Sequence, residues 1–164
     1  MKTLGVAVVA CFAGMPSADA GSASSNMNVS ATVVSSCSIS AGALAFPNYD
    51  TVTGAQVDGT ATLSVSCSKG AITSITLGQG SNAAAGSTDL LPARRMKNGT
   101  DFLSYALFSD PTRLVTWGNT LLTGLAYIST TSAPTNISVY GRVNALQDVP
   151  SGTYTDVVVA TISF

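Results

Sequence analysis

Residues 152–164 alternate apolar and polar positions through to Phe164, with Tyr154, Val158, Ala160, Ile162 and Phe164 on one face. A period of two marks an extended strand that buries one side, and it leaves no room for a helix there. A second run near the other end behaves alike. Met27, Val29, Ala31 and Val33 alternate with Asn28, Ser30, Thr32 and Val34, and neither Gly nor Pro interrupts them. The preceding tract, residues 21–26, is small and polar and is expected to be flexible when free. Two terminal strands, one on a loose tether, suggest a subunit that lends a strand to a neighbour: an assembly unit and not an enzyme.

The first 20 residues read as a secretory signal peptide. Lys2 supplies a positive start, residues 4–13 a short apolar stretch, and Ala18-Asp19-Ala20 a cleavage pattern, which places the mature start at Gly21. Val8-Val9-Ala10-Cys11 loosely resembles a lipobox, but cleavage there would leave an unusually short apolar region. No later stretch approaches the 18 or so apolar residues of a membrane helix. The remaining residues suffice for one domain with a sizeable core. Cys11 leaves with the leader. Cys37 and Cys67 remain, 30 positions apart, and in an exported chain their natural reading is a disulfide. Closing a loop of that size stabilises by about 3–4 kcal/mol in the chain-entropy picture.

Between the ends, short alternating runs follow one another. Cys37, Ile39 and residues 44–46 suggest a strand ended by Pro47, and residues 60–67 another, entered through an Asp58-Gly59 turn. Residues 72–77, 94–97, 102–108, 121–128 and 137–143 continue the series, with a brief segment at 114–117. Asn98-Gly99 is the strongest hairpin signal in the chain. Strands at this spacing read as a β-sandwich. Arg94 and Arg95 read as solvated edge charge that discourages stray pairing. Trp117 and Tyr140 read as core.

Catalysis finds little support. The chain has no His and no Glu, and most Asp residues fall where turns are expected. Gly78-Gln79-Gly80 lacks the Gly-Lys-Ser of a phosphate loop, no D-x-D-x-D-G calcium spacing occurs, and no Cys/His set suggests a metal. No cofactor is expected. With 9% charged residues and no basic tract, nucleic acid is an unsuited partner.

Six motifs then appear in order: Cys37-Ser38-Ile39 after an alternating run, Cys67 closing a T-L-x-V-x-C strand from Thr62, Leu103 to Asp110 as LSYALFSD, Val115-Thr116-Trp117-Gly118, Val139-Tyr140-Gly141-Arg142, and Gly152 to Asp156 as GTYTD. Together with the leader they make the chain resemble the spore coat protein U domain family, which includes subunits of archaic (Csu-type) chaperone–usher pili. The resemblance covers about residues 27–164. It implies an all-β, incomplete immunoglobulin-like sandwich that lacks its last strand and is completed by a donor strand from a neighbouring subunit. By it, residues 21–35 form the donor extension, with Met27, Val29, Ala31 and Val33 facing inward, and residues 36–164 form the sandwich. Cys37 and Cys67 correspond to the domain's disulfide. Tyr154, Val158, Ala160, Ile162 and Phe164 correspond to the strand that borders the groove and is contacted by a chaperone. Ala31 departs from the pattern, being small for the middle of a donor strand. The implied partners are identical or homologous subunits, a periplasmic chaperone and an outer-membrane usher, and the implied place is a pilus at the cell surface. The expected function is a structural pilus subunit serving attachment and biofilm formation. The alternatives are a spore- or cell-coat protein of the same fold and a self-contained secreted binding module.

Overall fold

The structure, a computed structural model, describes residues 20–164; the leader reading over residues 1–19 lies outside the described residues. Two units are distinguished, residues 1–32 and Val33–Phe164. In the first, the described residues from 20 onward belong to no strand, and Met27 and Val29 are exposed. The expected strand at 27–35 therefore has no ladder in the isolated chain. A run that buries one face needs a partner, and the alternation alone does not supply one.

The second unit holds eight strands: β1 (Cys37–Ala41), β2 (Val57–Cys67), β3 (Ile72–Leu77), β4 (Arg94–Asn98), β5 (Asp101–Phe108), β6 (Leu125–Ile128), β7 (Thr135–Val143) and β8 (Ala160–Ser163). They form a five-stranded sheet in the order β1-β2-β7-β5-β4 and a three-stranded sheet in the order β6-β3-β8. Every pairing is antiparallel. The sandwich expected from strand spacing is therefore the observed fold.

Alternation decides which side chains meet between the sheets. Leu63, Val65 and Cys67 of β2, Leu103, Tyr105 and Leu107 of β5, and Val139 and Val143 of β7 point inward, against Ile75 and Leu77 of β3. Trp117 is fully buried and joins the two sheets: its amide donates to the Leu107 carbonyl at 2.8 Å and its indole Nε1 to the Ile75 carbonyl at 2.8 Å. Tyr140, read as core, points the other way and lies 5.6 Å from the Arg113 guanidinium. Asn98 pairs with Asp101, and Gly99 has φ 57°, so the hairpin signal lands on the β4–β5 turn.

Four local expectations change. Asp58-Gly59 is not a turn but lies within β2, opposite Arg142 and Gly141. Asp58 receives Arg142 through two bonds of 2.7 and 2.9 Å. Residues 114–117 contribute only the isolated bridge Phe108↔Thr116, and residues 121–123 turn before β6 begins. Arg94 is 1% exposed and not solvated. The inward phase of β4 carries it between the sheets, where it donates to the carbonyls of Gly78, Leu77 and Trp117 at 2.7–2.8 Å. Burial draws its guanidinium down to about 10, against the raising influence of Tyr105 and Asp156, so it remains a cation at neutral pH.

Candidate functional site: an open groove

The Cys37–Cys67 disulfide forms across the β1–β2 ladder, where the two residues are direct partners with Cα atoms 4.1 Å apart. It fixes the start of β1 at the edge of the larger sheet. Beyond Ala41 the chain leaves the ladder and runs to Phe46, whose ring packs edge-on to Tyr105 at 6.0 Å between centroids. Room for this turn inward is made by Gly59 and Gly141, which face each other in register. A Cβ on Gly141 would stand 2.8 Å from Phe46 Cζ, and one on Gly59 3.0 Å from Phe46 Cδ1.

The C-terminal run forms the facing lip. Of the expected strand at 152–164, only Ala160–Ser163 is a ladder strand, paired with β3. Its lead-in is extended, with Thr155 bridged to Lys97 and the carbonyls of Val157 and Val159 accepting from Ser81 and Gly78. The alternation read from sequence holds: Tyr154, Val158, Ala160 and Ile162 are half-buried against the core. Phe164 is exposed. Asp156 shares the inward phase, which sequence reasoning missed, because a carboxylate there needs partners visible only in three dimensions. Tyr105 Oη donates to Asp156 Oδ2 at 2.7 Å, and the Asn82 amide groups donate to Oδ1 at 3.0 and 3.2 Å. Burial, then the bond to Asp156, push the Tyr105 hydroxyl up, so it is the donor.

Between these lips lies a cavity of about 370 Å³, with Leu63, Leu77, Leu107 and Val139 among its floor residues. Its walls are residues 41–44 and Phe46 on one side and 154–158 on the other. Backbone geometry completes it. In an antiparallel ladder successive residues turn their N–H and C=O groups to opposite sides. The Val157 and Val159 carbonyls turn toward Ser81 and Gly78, so Val158, Ala160 and Ile162 present theirs to the free side of β8. Ser36 and Gly42 bond Ser68 and Thr62, so Cys37, Ile39 and Ala41 present theirs to the free side of β1. The two strands border the core as edges of separate sheets, and no ladder joins them. What this arrangement can do is accept an extended segment: two rows of unpaired backbone groups above an apolar floor. Among the described residues no cluster of three or more metal-ligating side chains occurs, and no helix is long and apolar enough to cross a membrane.

Residues 23–161 match the Spore Coat Protein U domain. The chain is 46% identical over 170 positions to Protein U of Myxococcus xanthus, covering 97% of this chain and 94% of that protein. The fold is similar to a chain of the crystal structure of the CsuC–CsuE chaperone–tip adhesion subunit pre-assembly complex from archaic chaperone-usher Csu pili of Acinetobacter baumannii. That match has a TM-score of 0.56 and 23% identity over 81% of this chain, and spans 40% of the solved chain. At that identity the likeness is one of fold.

Proposed function

Since the chain belongs to the Spore Coat Protein U family, we propose that it is a structural subunit of a surface filament, assembled by the chaperone–usher route through exchange of donor strands. The observation that carries this reading is the groove, with an unpaired backbone edge on each side and an apolar cavity between them. An added strand would satisfy both edges and seal the core. The chain carries a candidate for that strand: Met27, Val29, Ala31 and Val33 repeat at the spacing that, once extended, would place their side chains downward into the groove. A strand given by each copy to the next makes a head-to-tail contact that does not close on itself, so filaments grow. Before assembly a periplasmic chaperone would cover the groove, in contact with Tyr154, Val158, Ala160, Ile162 and Phe164, and an outer-membrane usher would exchange it. The filament would serve attachment and biofilm formation. No catalysis enters this function.

The test is polymer formation by purified Val29→Asp, Val33→Asp and Ser30→Asp chains in one assay. The first two put a carboxylate into an apolar pocket and should block assembly, whereas Ser30→Asp points outward and should not. Polymerisation of all three at the wild-type rate would overturn the reading. Likeness to Protein U favours a second reading, a coat protein that assembles through the same groove into a layer. Electron microscopy of the producing cells separates filament from layer.

A further inference from the structure

We propose that the exposed Ile72–Ile128 pair is a second contact between consecutive copies of this chain, made against the copy that receives its extension. The inference rests on the strand-donation reading. Its starting point is length. Only Val34, Ser35 and Ser36 separate the last inward donor residue, Val33, from Cys37. Fully stretched, such a link spans about 14 Å, little more than the thickness of one sandwich. The receiving copy must therefore rest against the end of the domain from which the extension leaves.

Hydrogen bonds show what lies at that end. Ser68 N donates to the Ser36 carbonyl at 2.8 Å, Ser129 Oγ to the Cys67 carbonyl at 3.2 Å, and Gly70 N to the Ser129 carbonyl at 2.7 Å. The residues flanking this knot, Ile72 and Ile128, are direct cross-strand partners. They are 77% and 61% exposed. They stand on the outer face of the small sheet, where the other exposed residues of β3, β6 and β8 are Ala126, Thr161 and Ser163; Ser74 and Thr76 share that phase but lie beneath Gly124. No charge interrupts that face. Two β-branched side chains opposite each other support the β3–β6 ladder by themselves, but that role does not require an apolar residue in water. An uncharged apolar pair beside a short tether fits a neighbour held in place by the tether.

The experiment uses polymers of the full mature chain. In wild type, amide hydrogen exchange around residues 70–72 and 128–131 should slow severalfold on polymerisation, together with the groove strands. The Ile72→Thr, Ile128→Thr double variant keeps β-branched side chains and should still form a donor-strand ladder on a gel. Its filaments should bend more freely, with a persistence length severalfold shorter by electron microscopy. Equal exchange at these segments in monomer and polymer, or variant filaments as stiff as wild type, would overturn the second contact while leaving strand donation intact. Absence of any polymer ladder from wild type would overturn strand donation itself, and the contact with it.

Discussion

Tyr105 Oη lies 2.7 Å from Asp156 Oδ2, joining a core side chain of β5 to the lip of the groove. The bond crosses from the larger sheet to the lead-in of β8, so it holds the lip where an incoming strand would meet it. The Tyr105→Phe variant keeps the ring and strands one carboxylate oxygen in a half-buried site. The expected cost is about 1–3 kcal/mol in urea unfolding at neutral pH. A variant as stable as wild type would show that water replaces the hydroxyl without penalty.

Arg94 gives a larger effect. Three buried carbonyls accept from it, so Arg94→Met leaves all three unpaired, and a loss of about 3–5 kcal/mol is expected. Arg94→Lys retains the charge but not the planar fork and should recover only part of this. Denaturation midpoints of both variants, measured beside wild type, check the order.

Ala61 lines the groove cavity, and Ala61→Phe should fill it. If strands are exchanged as proposed, such a copy should still give its strand but not receive one, whereas a Val29→Asp copy should receive but not give. Neither should polymerise alone. Mixed in equal amounts, the two should stop at heterodimers on a sizing column. Long polymers from the mixture would mean that the cavity is not the receiving site.

Asp110 carries the clearest pH dependence. The Thr112 hydroxyl, then the Val115 and Leu114 amides, draw its carboxyl down to about 2. A depressed folded-state value means that the ionised form favours the folded chain. Its contribution is complete above about pH 4, the unfolded range, and is lost as pH falls through about 2. The melting temperature of Asp110→Ala should therefore lie below wild type at pH 6, with the gap closing toward pH 2. A gap independent of pH would show that the carboxylate contributes through shape alone.

Legibility in the sequence followed the range of the interaction. Asn98-Gly99 and the alternation of Leu63, Val65 and Cys67 are local signals, and each lands where expected. The Cys37–Cys67 bond is distant in sequence, yet readable because setting aside the expected leader with its Cys11 leaves two cysteines with one partner each. Arg94 was not readable: a charge on an edge strand is normally solvated, and nothing local shows that the carbonyls of Gly78 and Trp117 close over it. Asp58-Gly59 misleads for a related reason. The pair suits a turn, but the glycine is demanded by Phe46 packing against it and the aspartate by Arg142 across the ladder. The groove was legible only as a missing strand. Its lips and the Asp156 anchor required coordinates.

The facing glycines of β2 and β7 have a further consequence. They let the chain draw its own aromatic ring under the sandwich and finish that end of the core unaided. In the strand-donation proposal, an outside strand would then have only the lateral groove left to close. One methyl group added at Gly59 or Gly141 would meet Phe46 at 3.0 Å or less. It would force the ring outward and leave the molecule open at its base as well as its side. A donated strand would then no longer be enough to complete it.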